Sequence, residues 1–258
     1  DTTKVRITAL DSSVSTQAAS ATNFYIKGSF TVPNPPASGV TWTLGDSHTI
    51  TWTTVGTVSK VKIKYTTNGL DASPTWIVVG SSVDNNPAGT STSWTWVIPT
   101  NITPTPTATA KIRVENYSDS AVYRDSAPFK LVGKFTNVTV PSEVSVGVAS
   151  TISWSTTGNI ATVLLTYSID NGTSWTTITT ASNSTNSYSW IVPDTTNNNS
   201  ECLVKVADNL DSANVSAIST NTFKIKGRLA AVTPGAASGE SYTIGTTTSV
   251  SWSTLGST

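Results

Sequence analysis

"ITWTTVG" at 50–56, "ISWSTTG" at 152–158 and "VSWSTLG" at 250–256 are near copies of one another. Each alternates apolar and hydroxyl-bearing residues and stops at a glycine. A period of two is the mark of a strand with one face buried and one face wet. Ile50 and Trp52, Ile152 and Trp154, and Val250 and Trp252 therefore share the inward side of three equivalent strands. The three tryptophans are spaced 102 and 98 residues apart.

Other stretches repeat in the same order. "SWTWVIP" ends at Pro99 and "SYSWIVP" at Pro193. "KVRI" at 4–7 is matched by "KIRV" at 111–114 and "LVKV" at 203–206. "FYIKG", "FKLVG" and "FKIKG" end at Gly28, Gly133 and Gly227. The repeating unit of about 95–105 residues has the size of an immunoglobulin-like sandwich and is far longer than a solenoid repeat. Residues 29–133 and 134–227 read as complete repeats, 1–28 as the end of one and 228–258 as the start of another. The partial repeats, and the absence of Met, lead to the expectation that the chain is an excerpt of a longer array.

Within the second repeat, strands are expected at 135–140, 151–156, 162–168, 174–178, 187–192, 202–206 and 222–226. Short strands separated by turn residues predict an all-β fold of tandem immunoglobulin-like antiparallel sandwiches in a linear array. The expected core includes Trp52, Trp96, Trp154, Trp190 and Trp252, with Tyr65, Tyr167 and Cys202. Ile152, Val163, Leu165, Tyr188, Val204 and Val206 complete it in the second repeat. Val5, Ile7, Phe24 and Ile26 read as the inward set of the first partial repeat.

Composition narrows the function classes. The 258 residues carry 15 basic and 15 acidic side chains, and only 12% are charged. No basic stripe is available for nucleic acid, and no apolar run approaches the ~20 residues of a membrane-spanning helix. Cys202 is the only cysteine, so no intrachain disulfide forms. Low charge with abundant Ser and Thr suits an extracellular or cell-surface protein.

The succession I-x-W-x-T-x-G, Y-S-x-D-x-G-x-x-W, Y-x-W-x-V-P and C-x-V-K-V resembles the immunoglobulin-like tandem repeats of large secreted and cell-surface proteins. It is similar also to the Ser/Thr-rich module of a yeast cell-wall family. The resemblance implies an extracellular setting and carries over no catalytic residue. Within it, Ser168, Asp170, Gly172 and Trp175 fit S-x-D-x-G-x-x-W, which resembles the Asp-box hairpin of sialidases and related glycan-processing proteins. The equivalent stretch of the first repeat, "YTTNGLDASPTW" at 65–76, keeps the tyrosine and Trp76 but not the S-x-D-x-G spacing. A catalytic device would not vary so freely between copies, so a structural hairpin is the expectation: Asn171-Gly172 supply positive φ, Asp170 accepts backbone N–H bonds and Trp175 covers the turn.

Other chemistry is sparse. His48, the only histidine, has no orienting carboxylate in triad spacing and is expected as a solvated loop residue. Cys202 replaces Ala110 of the first repeat at an inward position, which fits a small buried thiol. The recurring pairs Asp11-Ser12, Asp119-Ser120 and Asp211-Ser212 suit Asx turns. Calcium is their alternative reading, but it needs six to eight oxygens, and Lys27, Lys134, Lys226 and Arg228 occupy the joints between repeats. No cofactor is expected. Candidate N-glycosylation sequons start at Asn101, Asn116, Asn137, Asn171, Asn183, Asn198 and Asn214; the Asn, Ser and Thr content alone generates a similar number. Trp42, Trp76, Trp94 and Trp175 are the tryptophans outside the repeated core positions, and they form no aromatic strip for a polysaccharide.

These features point to a non-catalytic component of an extracellular filament, sheath, stalk or surface array whose partners are copies of itself. The alternative is an adhesin or carbohydrate-binding accessory module that meets cell-surface glycans. Equivalent surfaces on each repeat would favour the array; exposed aromatic or charged residues confined to one repeat would favour binding.

Overall fold

A computed structural model describes residues 2–8, 17–35, 37–195, 197–233 and 241–256, with only the backbone at 2, 197–200, 230, 231 and 233. It is all-β, and its tandem sandwiches are of the immunoglobulin-like kind. Two compact units divide the chain. The first comprises 1–42, 46–97 and 107–130, and the second 43–45, 98–106 and 131–258. Among the described residues no helix is long and apolar enough to cross a bilayer.

In the first unit, strand Ser47–Val55 is the middle of a three-stranded sheet, between Ser29–Phe30 and Ser91–Val97. A second sheet runs in the order Tyr123–Asp125, Lys111–Asn116, Lys60–Thr66, Ile77–Asp84. Alternation places Ile50, Trp52 and Trp96 on the inner side of the first sheet, against Val61, Ile63, Tyr65, Ile112 and Val114 of the second. Residues 2–8 and 17–28 form two short ladders, Thr2–Thr3 with Phe24–Tyr25 and Arg6–Thr8 with Gln17–Ala19. The expectation that Val5, Ile7, Phe24 and Ile26 point into a core is overturned. All four are exposed, because these ladders have no second sheet packed over them among the described residues.

The second unit repeats the plan. Lys134–Thr139, Ala149–Thr157 and Ser187–Ile191 form one sheet. Glu143–Ser145, Phe223–Lys226, Asn197–Asp208, Thr162–Ser168 and Thr176–Ser182 form the other, with Ser216–Ile218 also paired to Asn197–Asp208. Ile152, Trp154, Val163, Leu165, Trp190, Cys202, Val204 and Val206 are buried in one cluster, with Tyr167 and Tyr188 half-buried against it. Two strands exceed the seven expected, Glu143–Ser145 and Ser216–Ile218. Three residues are too few to show an alternation. One pairing is parallel rather than antiparallel: Glu143–Ser145 lies along Phe223–Lys226, and the Lys226 ammonium donates to Glu143 at 2.6 Å across it.

Trp252 is corrected from the expected core. It is 58% exposed, because its strand Ser251–Leu255 pairs only with Arg228–Thr233 and carries no second layer among the described residues. Leu255 does pack against the second unit's core. At the end of the same strand the Gly256 N–H donates to Asp194 Oδ1 at 2.6 Å. The equivalent Gly158 N–H donates to Thr100 O at 3.0 Å. Gly158 has φ +96°, and a Cβ there would meet Leu44 Cδ1 at 2.7 Å, so any side chain at this position would be strained by the backbone conformation and would push the Leu44 tip aside.

One buried polar clamp recurs in both repeats. The Trp52 indole N–H donates to Asn85 Oδ1 at 2.8 Å, while Asn85 Nδ2 donates to Thr54 Oγ1 and to Val58 O, each at 2.8 Å. The Trp154 indole N–H donates to Asn183 Oδ1 at 2.7 Å, and Asn183 Nδ2 donates to Thr156 Oγ1 at 3.1 Å and Ile160 O at 3.0 Å. A buried indole needs an acceptor, and a neutral amide gives one without burying a charge. Trp154→Ala should cost about 3–5 kcal/mol through lost packing, and Asn183→Ala about 1–3 kcal/mol through the orphaned indole N–H. Thermal melting of the full chain checks both; a melting point unchanged by Asn183→Ala would show that the clamp contributes nothing.

Candidate functional site

The hairpin 168–175 is a closed hydrogen-bond network. Ser168 lies at the end of strand Thr162–Ser168 and is buried. Its hydroxyl donates to Asp170 Oδ1 at 2.7 Å and accepts the Gly172 N–H at 2.8 Å. Asp170 Oδ1 also accepts the Ser174 N–H at 2.9 Å, and Oδ2 accepts the Ser174 hydroxyl at 2.6 Å. Asn171 and Gly172 hold φ of +53° and +87°. The Trp175 indole N–H closes the turn on Gly172 O at 3.1 Å, and the Lys205 ammonium lies 4.3 Å from its ring.

The first repeat builds the same network from different atoms. The Thr66 hydroxyl donates to Asn68 Oδ1 at 2.7 Å, and the Thr75 N–H donates to the same oxygen at 3.0 Å. Thr66, Asn68 and Trp76 thus stand where Ser168, Asp170 and Trp175 stand in the second repeat. Arg113, the counterpart of Lys205, lies 4.1 Å from the Trp76 ring and 3.7 Å from the Tyr123 ring, and donates from Nε and Nη2 to Asp125 at 2.7 and 2.9 Å. The spacing is lost in sequence, but the bonding is kept. In the second repeat Asp170 Oδ1 accepts two of these bonds and Oδ2 one, so the carboxylate is engaged in holding its own turn.

The hydrogen bonds from the Ser174 hydroxyl, the Ser174 N–H and the Ser168 hydroxyl hold the Asp170 carboxyl at about 2. A carboxyl lowered in the folded state stabilises it above the unfolded pKa of about 4, and that contribution is lost as pH falls through the folded value. Stability of the second repeat should therefore decline between about pH 4 and 2 in part through Asp170. Asp170→Asn, which installs the first repeat's side chain, should fold and flatten that decline. An identical acid profile for the variant in circular dichroism would refute the assignment.

Other residues singled out in the sequence fall as follows. His48 is not a solvated loop residue. It lies in strand Ser47–Val55 and stacks on Trp42 at 4.2 Å between centroids, and burial lowers its pKa despite the nearby Asp46. The strand simply starts earlier than the apolar alternation shows. Trp42 itself is buried, and Trp94 is half-buried. Cys202 and Ala110 are both fully buried, and burial pushes the thiol up to about 11. Asp119 accepts the Ala121 N–H at 3.0 Å, an Asx turn; Asp211 Oδ1 instead accepts the Asn214 side chain at 2.7 Å. Asp11 and Ser12 lie outside the described residues. Among the described residues no three His, Cys, Asp or Glu side chains converge as a metal site. At the joints Lys27 pairs with Asp119 at 2.7 Å and Lys226 with Glu143 at 2.6 Å.

Asn183 is corrected as a glycosylation candidate: its side chain is buried and its amide nitrogen is committed to the clamp. Asn101, Asn137, Asn171 and Asn214 are exposed, and Asn116 is half-buried with its Oδ1 accepting the Ser118 N–H. The Asn198 side chain is outside the described residues.

A surface that no motif flagged recurs in both repeats. The outward residues of Ser47–Val55 are Ser47, Thr49, Thr51 and Thr53, paired across to Val97, Thr95, Ser93 and Ser91. In the second repeat Thr151 pairs with Ser189 and Ser153 with Ser187, and on the other side Thr136 pairs with Ser155 and Thr139 with Ser153. Both faces are hydroxyl-rich ladders, each with one exposed aliphatic residue at its end, Val97 or Ile191, and they carry no charge save Lys134. The signal was present as the hydroxyl half of the I-x-W-x-T alternation, but a sequence alone does not say that several strands align those residues on one face.

No family model matches the chain, and no curated protein matches it. Solved structures with related folds include the fibronectin(III)-like modules of Clostridium thermocellum CbhA, at 19% identity and TM-score 0.24, covering 76% of this chain and 92% of that one. Titin domains in complex with telethonin align at 14% identity and TM-score 0.26, covering 77% and 94%. A titin Ig tandem aligns at 12% and 0.29, covering 78% and 99%.

Proposed function

We propose that this chain is a non-catalytic structural component of an extracellular array, in which copies pack side by side through the hydroxyl faces of their sandwiches. The observation that carries the reading is the recurrence of that face on the same sheet of both repeats. A surface used once, for one ligand, would have no reason to recur. A surface used for packing along a row of repeats would. Bringing two such faces together desolvates no ion beyond Lys134 at one end, and the hydroxyls can re-pair with each other or with bridging water.

A charge placed on the face tests this. Thr49→Lys with Thr151→Lys, one lysine on each repeat's face, should leave the melting temperature nearly unchanged, because both side chains are exposed and neither new charge faces the other across a strand pair. It should also abolish lateral association in electron micrographs of the concentrated protein. Dispersed particles from the unmodified chain, or arrays unaffected by the lysines, would sink the proposal. The closed bonding of the Asp-box-like hairpin further supports the absence of hydrolytic activity: sialosides and common polysaccharides should not be turned over, and turnover lost on Asp170→Ala would overturn that.

A further inference from the structure

The second repeat carries an open groove that the hydroxyl faces do not use. It lies between strand Thr176–Ser182, at the edge of one sheet, and strand Ser187–Ile191, at the edge of the other. Its volume is about 300 Å³, at the lower end of small-ligand sites. Tyr167, Tyr188 and Trp190 line it together with Ile178, Thr176 and Thr177. The Tyr167 and Trp190 rings stand 5.3 Å apart, tilted by 42°. Tyr167 and Tyr188 are both half-buried, so each ring keeps part of its surface open. Neither phenol hydroxyl, nor those of Thr176 and Thr177, makes a hydrogen bond within the described residues. No charged residue lines the groove.

We infer that this groove binds a neutral saccharide. A sugar ring offers an apolar C–H face for stacking on an aromatic ring and a rim of hydroxyls for neutral donors and acceptors. The groove presents those two features side by side. An anionic ligand would find no cation, and a peptide strand would meet a broken edge: the pairing of Thr162–Ser168 with Thr176–Ser182 shifts register between Leu165 and Thr166, leaving Ile178 as a bulge. Bulges blunt strand addition. The groove is also particular to this repeat. In the first repeat Ile77 and Val78 stand where Thr176 and Thr177 stand, Trp94 replaces Tyr188, and Tyr65 is buried at 5% exposure. The inference does not rest on the side-by-side packing above, which uses the outward Ser187 and Ser189 of that strand; Ile191, outward on the same strand, borders both surfaces.

The test is affinity electrophoresis of the full chain through gels containing soluble glucan, mannan or galactan, with polygalacturonate as the anionic control. At least one neutral polysaccharide should retard the protein. Tyr188→Ala should weaken that retardation about tenfold, the worth of one aromatic contact. Thr177→Lys, a rim change at an exposed strand position, should weaken it as well while keeping the parent's melting temperature. Retardation by no neutral polysaccharide, or by polygalacturonate alone, would overturn the inference. So would retardation that survives both substitutions, or sedimentation showing that Thr177→Lys instead separates copies of the chain, which would make the groove a self-interface.

Discussion

The indole of Trp154, and that of Trp52 before it, is the fixed point around which each sandwich is built. A tryptophan is the largest apolar body a strand can place between two sheets, but its N–H cannot be left unpaired in a dry interior. The chain meets this with one asparagine at the end of the other sheet's edge strand, Asn85 or Asn183, where the chain crosses between the sheets. Its Oδ1 accepts the indole N–H, and its Nδ2 donates to Thr54 and Val58 in one case and to Thr156 and Ile160 in the other. Three separate loop and strand segments are thereby tied to one buried ring. No ion is buried for the purpose, which matches a chain with so few charges.

The two repeats diverge in how they use polarity elsewhere. The first holds a nearly buried ion pair, Lys64 to Glu115 at 2.6 Å, with the glutamate side chain only 3% exposed. Its Arg113 is held between two aromatic rings and a carboxylate. The second has Thr166 and Ala207 at the positions of the ion pair, both buried. Ion pairs of this kind give specificity more readily than stability, so the repeats have different internal chemistry beneath a common fold. Their outer hydroxyl faces and their Trp–Asn clamps stay the same. What is held constant is therefore the scaffold and its outer hydroxyl face.

The hairpin after the Thr162–Ser168 strand shows the same economy. Its carboxylate is replaceable by the amide of Asn68 without losing the bond to the backbone beyond the turn. A group whose charge is dispensable in one copy acts through geometry. The low pKa of Asp170 follows from those bonds alone.

Sequence by itself determined the recurrence of the strand motif, the all-β class and the buried aromatics that the motif repeats, Trp52, Trp96, Trp154 and Trp190, together with Tyr65; Phe30, Trp42, Phe129, Phe135 and Phe223, buried as well, were not legible as core. A strand with one dry face must alternate, and three near-identical copies of I-x-W-x-T make that alternation unmistakable. It could not reach features that depend on where distant segments meet. Asn85 and Asn183 sit in polar stretches that look like ordinary loops, and only the fold brings them onto the tryptophans. Asn183 consequently reads as a sugar acceptor when its amide is in fact inside. Strands of three residues, such as Glu143–Ser145, are below the length at which a period shows, and their pairing is decided by Phe223–Lys226. Trp252 and Trp154 occupy equivalent sequence positions, yet one is exposed and the other is core, because burial requires a second sheet. The hydroxyl faces and the tyrosine groove are likewise properties of strands placed side by side, which tertiary structure alone decides.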